Sequence, residues 1–139
     1  MIDNVLTLIS AIRDRSNRFI VERMKQQGLH GLVPSHGTIL YNLFIQKEMS
    51  MTDLSRVTGK DKSTVTALVN KLLAMGYVTR KRDPEDLRSY CVSLTPKGAA
   101  MEKDFFQISE DLMAIIYNGV SAEEQKLLIT LLNRIKDNF

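Results

Sequence analysis

Apolar residues recur at steps of three and four in the first part of the chain, which predicts an amphipathic helix from Ile2 to about Gln27. Glycine and proline then interrupt the pattern. A second stripe of the same period predicts a helix from about Ser35 to Lys47, with the Ser35 hydroxyl as its N-cap. The apolar members of this second stripe are Ile39, Leu40, Leu43 and Phe44.

Two shorter helices are predicted next, Asp53 to Val57 and Lys62 to Met75, with a glycine in the turn between them. Thr52 and Asp61 are the predicted N-caps, because their side-chain oxygens can accept from free backbone N–H groups. Gly76 ends the second helix, since glycine enters the left-handed region at little cost. Two short helices joined by a tight glycine-containing turn are the helix-turn-helix signature.

After Gly76 the pattern changes from helical to alternating. The runs Tyr77 to Arg82 and Tyr90 to Thr95 are rich in β-forming residues, and a polar loop with a proline joins them. This arrangement predicts a β-hairpin. A hairpin that directly follows a helix-turn-helix is a wing.

Two helices are predicted after the wing. Thr95 and Pro96 begin a long helix that continues to about Tyr117, since proline at the first helical position loses no hydrogen bond. Ser121 begins a capping box for a last helix with a leucine-rich face. The first helix and these two have no other predicted partners. The expected fold is mainly α with a small β wing, in a single domain over 1–139. Its winged helix-turn-helix core covers about 34–98, and the flanking helical segments cover 1–33 and 99–139.

Composition agrees with a soluble globular domain, because 44% of the 139 residues are hydrophobic and 25% are charged. No apolar run approaches the roughly 18 residues that span a bilayer, and the N-terminus lacks the pattern of a signal peptide. The single cysteine, Cys91, cannot form an internal disulfide. We therefore expect a cytoplasmic protein without a membrane partner.

Positive charge is concentrated in the middle of the chain. The segment from Ser50 to Lys97 has nine basic and five acidic residues, whereas the remainder is net negative. A local basic excess is expected of a phosphate-binding surface, although a solvated basic face would give the same count.

The exposed face of the helix from Lys62 to Met75 has the properties needed in a DNA major groove. Its core stripe is Val65, Leu68, Val69 and Leu72, and the opposite face carries Ser63, Ala67, Asn70 and Ala74. Small residues permit close approach, and hydroxyl and amide groups can hydrogen-bond base edges. The flanking residues are Lys62, Thr64, Thr66 and Lys71, of which the lysines can reach phosphates. An ordinary amphipathic surface helix is the alternative, which the adjoining short helix and basic hairpin make less favourable.

The wing carries four basic residues. Strand alternation predicts Arg80 and Arg82 on one face and Lys81 on the other. Arg88, near the loop tip, can enter a minor groove, and Asp86 can hold its guanidinium in a bidentate pair. A solvated charged turn is the alternative. The predicted DNA-binding residues are Arg56, Lys62, Ser63, Thr64, Thr66, Ala67, Asn70, Lys71, Arg80, Arg82, Asp86, Arg88 and Ser89.

Four runs of residues, in the same order and spacing, resemble the MarR family of bacterial and archaeal regulators over essentially the whole chain. The run 61–66 (DKSTVT) is similar to the start of the family's recognition helix, and 76–84 to its first wing strand. The loop 86–89 (DLRS) fits its D-x-R wing signature, and 92–98 fits the strand and helix entry that follow.

The resemblance implies a triangular homodimer in which the first and the last two helices interdigitate with those of the partner. It implies a regulator, expected to be a repressor, that binds a palindromic operator with half-sites about 34 Å apart. Many members of the family are released from DNA by a small molecule, often an apolar aromatic anion, that binds between the dimer helices and the winged core. Other members sense oxidants through a cysteine in the first helix, or bind zinc through histidine and carboxylate ligands.

The sequence departs from both of these sensing variants. The first helix has no cysteine, and Cys91 lies on the second wing strand, where we expect a structural role. His30 and His36 have no recognisable zinc spacing, so we expect packing or solvent roles and neither metal nor cofactor. Ala67 stands where many relatives carry arginine, and the operator sequence and the effector are left open.

Two other classes of protein fit the sequence less well. A winged-helix protein-interaction module would keep the fold without DNA binding, but it would lose the basic wing and the small polar helix face. An enzyme is disfavoured, because the sequence has no glycine-rich phosphate loop, no Ser/His/Asp arrangement and no metal-ligand spacing.

Overall fold

Residues 4–139, which the computed structural model describes, form seven helices and three short strands. The prediction that the first helix begins at Ile2 lies outside the described residues. The fold is mainly α with a small β wing, as predicted. In chain order the elements are α1 Val5–Gln26, α2 Pro34–Gln46, β1 Glu48–Ser50, α3 Met51–Thr58, α4 Lys62–Ala74, β2 Val78–Arg82, β3 Tyr90–Leu94, α5 Pro96–Ala99, α6 Glu102–Ile116 and α7 Ala122–Lys136.

The start of α2 differs from the prediction. Val33 is the N-cap and Pro34 the first helical residue, so Ser35 already lies inside the helix. Pro34 favours this start because its fixed φ suits the helix and it has no N–H to satisfy. The Val33 N–H donates instead to Nδ1 of His36, at 2.9 Å. The prediction of Ser35 as the cap was therefore wrong.

The cap of α3 was also misplaced. Ser50, not Thr52, is its N-cap, and the Ser50 hydroxyl accepts a hydrogen bond from the Asp53 N–H at 3.1 Å. Ser50 has extended backbone because it also ends β1, and an N-cap needs that conformation. The helix consequently begins two residues before the predicted first residue.

Other predicted helix ends are confirmed. Asp61 caps α4, and Gly76 follows that helix with a φ of 78°. Thr95 caps α5, and Ser121 forms the capping box of α7 with Glu124.

The long helix predicted from Thr95 is divided into α5 and α6. At the division the Met101 N–H donates to the carbonyl of Gly98, three residues back rather than four, which tightens the turn. Gly98 lies so close to the preceding chain that a Cβ there would overlap the Tyr77 carbonyl oxygen. This approach holds α5 against the base of the wing.

The sheet has the order β1-β3-β2, and both pairings are antiparallel. Val92, at the centre of β3, is opposite Met49 on one side and Arg80 on the other. The strand β1 was not predicted. It protects the second edge of β3 and joins the sheet to α3.

The hydrophobic core lies between the C-terminal half of α1, helices α2 to α4, the sheet and α6. The apolar stripe predicted for α2 is fully buried, except that Phe44 is 2% exposed. Most of the apolar stripe predicted for α4 is fully buried as well. By contrast, α7 contains no buried residue within the described chain, and the first half of α1 exposes a row of aliphatic side chains. Among the described residues no helix is both long and apolar enough to cross a membrane.

Candidate nucleic-acid interface

Helix α4 has one buried and one exposed face, as predicted. Val65, Leu68, Val69 and Leu72 are buried, whereas Ser63, Thr64, Thr66, Ala67, Asn70 and Ala74 are exposed. The Asp61 carboxylate accepts the Thr64 N–H at 2.7 Å, and hydrogen bonds from Thr64 hold the pKa of Asp61 below its usual value. This helix end is therefore firmly capped, and the exposed face offers small and polar groups to a partner.

Helices α3 and α4 form a shallow groove between them. Arg56 and Lys62, two of the predicted site residues, line this groove together with Thr52 and Ser55. Arg56 also forms an ion pair with Asp53 at 2.9 Å. Thr52 and Ser55 were missed as candidates, because only the packing of the two helices places their hydroxyls beside these cations.

The strand β2 projects its basic residues to both faces, as predicted. The guanidinium carbons of Arg80 and Arg82 lie 4.9 and 5.4 Å from the ring centre of Tyr90. Lys81 points to the other face, where it pairs with Glu48 at 3.1 Å. Arg80 also donates to the side-chain oxygen of Asn70 at 3.2 Å, which connects the wing directly to α4.

The wing tip is held together by hydrogen bonds of its own loop. One oxygen of Asp86, Oδ1, accepts from the Arg88 N–H at 3.1 Å and from Arg88 Nε at 3.3 Å. The predicted contact is therefore present, but it is not the bidentate pair expected, because a single carboxylate oxygen makes both bonds. The Ser89 N–H closes the loop on the Asp86 carbonyl at 2.9 Å, and Arg82 donates to the Leu87 carbonyl.

Lys71 faces away from the other predicted site residues. Its ammonium nitrogen lies over Gly31, 2.8 Å from the position that a Cβ there would take, in the loop between α1 and α2. Burial, followed by the charge of Lys71, lowers the pKa of His36.

The two histidines have different environments. His36 is 4% exposed and its Nδ1 accepts a hydrogen bond, so the proton of the neutral ring is on Nε2. This Nε2 is buried and has no hydrogen-bond partner among residues 4–139. His30 is exposed. Within the described chain, no group of three or more histidine, cysteine or acidic side chains is arranged to hold a metal ion.

The Cys91 thiol is half-buried on β3. Burial, followed by the charges of Asp83 and Glu48, raises the pKa of this thiol. A raised pKa disfavours the thiolate, which is the reactive form of cysteine.

An apolar cavity of about 210 Å³ lies between α1, α2 and α6. The side chains of Ile20, Met24, Tyr41, Phe105, Ile108 and Leu112 form most of its wall, and Thr38, Asn42 and Ser109 add polar groups. Arg23 of α1 and Asp111 of α6 form an ion pair between two of these helices. The sequence had indicated no residues for a ligand site, since the wall is assembled from three separate segments.

Comparison with known proteins agrees with this arrangement. Residues 30–89 match the model of the MarR family. The chain is 33% identical over 115 residues to YdgJ, an uncharacterised HTH-type transcriptional regulator of Bacillus subtilis, covering 83% of this chain and 70% of that protein. It is 29% identical over 104 residues to the HTH-type transcriptional repressor YetL of the same organism, covering 73% of this chain and 62% of that protein.

The fold is similar to that of a cysteine-to-serine mutant of MarR from E. coli in complex with operator DNA. The TM-score is 0.80 at 23% identity, and the match covers 92% of this chain and 90% of that one. The family match in sequence and the similarity in fold therefore agree. The chain belongs to the MarR family of transcriptional regulators.

Proposed function

We propose that this regulator is a cytoplasmic repressor that binds a palindromic operator as a homodimer. Residues 34–98 form the DNA-binding core in this proposal, and the helices of 1–33 and 99–139 form the dimer. The observation that carries the proposal is the small, polar, exposed face of α4, which lies between the groove of α3 and the arginines of the wing.

Each part of this surface has a separate role. Ser63, Ala67 and Asn70 approach base edges in the major groove, where small groups allow a close fit. Arg56, Lys62, Thr64, Thr66, Arg80 and Arg82 contact phosphates, and Arg88 enters the minor groove beside Asp86 and Ser89. Lys71 contributes its charge, and it reaches a phosphate only by leaving its position over Gly31. A mutant of E. coli MarR, which has a similar fold, has been solved in complex with operator DNA, and this supports operator binding by the present chain.

Salt-dependent binding tests the proposal. Contacts to phosphates release counterions, so the logarithm of the association constant should fall by about 0.9 per phosphate contact for each tenfold increase in salt. The operator should first be located by footprinting on genomic DNA, and affinity then measured by fluorescence anisotropy. Weak, salt-insensitive binding, with no retention on heparin, would support a protein-interaction module instead.

Exposed apolar surface supports the dimer. Leu127, Leu128, Leu131 and Ile135 of α7 are each at least 40% exposed, and the first half of α1 exposes Val5, Leu6, Leu8, Ile9 and Ile12. Contiguous exposed apolar patches of this kind mark interaction sites. Deletion of residues 121–139 should give aggregated or unfolded protein, as observed by light scattering and circular dichroism. A well-folded monomeric truncation would contradict the dimer.

Repression is favoured because a dimer bound across a promoter excludes other proteins from it, and the relative YetL is named a repressor. The test is transcription in vitro from the mapped promoter. Added protein should lower transcript yield in step with operator occupancy. An increase in yield would indicate an activator.

The apolar cavity supports release by a small aromatic effector, since it has a hydrophobic wall and a few polar groups. Benzoate serves as a simple aromatic anion for a first test, and it should weaken operator binding. Ser109→Phe, which fills the cavity, should remove this response and leave the affinity for the operator without benzoate unchanged. An equal response in wild type and variant would place effector binding elsewhere.

A further inference from the structure

We infer that Asn70 prefers guanine to adenine, because Arg80, held on the ring of Tyr90, donates to the Asn70 carbonyl oxygen and turns the NH₂ group of the amide outward. This inference rests on the proposed binding of α4 in the major groove. It adds a specificity-determining residue, Asn70, and two positioning residues, Arg80 and Tyr90.

The hydrogen bond between α4 and β2 fixes the orientation of the Asn70 amide. Arg80 Nη1 lies 3.2 Å from Asn70 Oδ1. A guanidinium has five donors and no acceptor, so the oxygen of the amide must face Arg80 and the NH₂ group must face away. Asn70 is exposed, so its NH₂ group is accessible to a base in the proposed complex.

Tyr90 keeps Arg80 in this position. The ring packs against the hydrophobic core, and the guanidinium carbon of Arg80 lies 4.9 Å from the ring centre. A cation over an aromatic face is attracted by the ring quadrupole. Arg82 contacts the same ring at 5.4 Å but hydrogen-bonds the Leu87 carbonyl instead of Asn70. Both arginines therefore pack against the Tyr90 ring, but of the two it is Arg80 that hydrogen-bonds to α4.

The engaged carbonyl determines which base Asn70 can pair with. Asparagine recognises adenine through two bonds, in which its NH₂ donates to N7 and its oxygen accepts from the N6 amino group. Arg80 already donates to one of the two lone pairs of that oxygen and fixes its orientation, so the amino group of adenine would have to approach the remaining lone pair beside a cation. Guanine presents only acceptors, N7 and O6, at the same edge, so it suits an outward NH₂ group. The other donors of Arg80 stay available for a phosphate.

Selection of binding sites from a DNA library with randomised half-sites tests the inference. Asn70→Ala should lose discrimination at one base position and thereby identify it. Wild-type protein and Tyr90→Phe should prefer guanine there. Arg80→Ala and Tyr90→Leu should shift the preference toward adenine by roughly tenfold, the size expected when one of two hydrogen bonds to a base is regained.

Arg82→Ala is the matched control, because it removes the same charge from the same ring without touching Asn70. It should weaken binding and leave the base preference unchanged. A wild-type preference for adenine at the identified position, or an unchanged preference in Arg80→Ala, would overturn the inference. An Asn70→Ala consensus identical to that of wild type would overturn it too. If wild-type protein enriches no sequence at all, the proposed function itself fails, and this outcome is distinct from the others.

Discussion

The substitution Asp86→Asn removes one negative charge from the wing tip but keeps an oxygen that can accept the Arg88 N–H. Glu85→Gln removes the same charge from the adjacent residue. The Glu85 side chain is exposed and forms no hydrogen bond or ion pair within the described residues. The pair of variants therefore separates general electrostatics from the specific contact of Asp86 with Arg88.

The size of each effect follows from the exposure of these groups. A carboxylate about 10 Å from a phosphate repels it by about 0.4 kcal/mol in water before screening, so removing it tightens binding at most about twofold. Arg88 is 93% exposed and its Nε–Oδ1 distance is 3.3 Å, which suggests an ordinary exposed ion pair worth roughly 0.2–1 kcal/mol. Both variants gain affinity by losing a negative charge near the DNA. Asp86→Asn also loses the ion pair that positions Arg88, which opposes this gain, whereas Glu85→Gln keeps that ion pair.

We expect Asp86→Asn to bind the operator up to about fivefold more weakly than Glu85→Gln, which corresponds to the upper end of that ion-pair energy, about 1 kcal/mol. The assay is fluorescence anisotropy at physiological salt. In an Arg88→Ala background the difference between the two variants should disappear, because the two residues then no longer interact. Equal tightening by both variants in wild-type background would refute the preorganising role of Asp86.

Three further predictions concern stability and sensing. Burial keeps the pKa of His36 low, so the unfolded chain gains a proton at higher pH than the folded chain. The contribution of His36 to the free energy of unfolding should be fully present well above pH 6.5 and should be lost as the pH falls through and below that value. Urea titrations should show that His36→Asn reduces this dependence and that His30→Asn does not. Gly98→Ala, whose methyl group would overlap a main-chain carbonyl oxygen, should cost about 3 kcal/mol or more in the same assay. By contrast, Gly37→Ala meets only one atom at 3.7 Å and should be neutral or stabilising. Peroxide should change operator affinity less than tenfold, since the raised pKa of the Cys91 thiol disfavours the reactive thiolate. Chelator should also change it less than tenfold, since no group of three or more histidine, cysteine or acidic side chains among residues 4–139 is arranged to hold a metal ion. A larger loss would show a redox or metal sensor.

Helix α4 could be predicted because its signals are local. Asp61 and Gly76 mark its ends through their own hydrogen bonding and backbone preferences, and the period of its apolar stripe fixes which face is buried. The hairpin was predictable for the same reason, since alternation and the polar loop lie in adjacent residues.

The start of α3 depends on tertiary structure and was therefore missed. Three residues are too few to show an alternating pattern, so β1 becomes a strand only by pairing with β3. The turn before it gave no signal either, because Lys47 adopts a φ of 69° without a glycine. Ser50 both ends the strand and caps the helix. A sequence pattern that describes one element at a time does not predict a residue shared by two elements.

In the candidate site, too, contacts within a short segment could be predicted, whereas contacts between separate elements could not. The contact of Asp86 with Arg88 could be predicted because two residues of spacing bring the groups together in any tight loop. The contact of Arg80 with Asn70 could not, because it depends on the angle at which the hairpin packs against α4. The sequence therefore indicates which side chains face a partner, whereas the docking of the wing decides which of their polar atoms stay free to bind it. For Asn70, that difference is the choice between presenting an acceptor and presenting a donor to DNA.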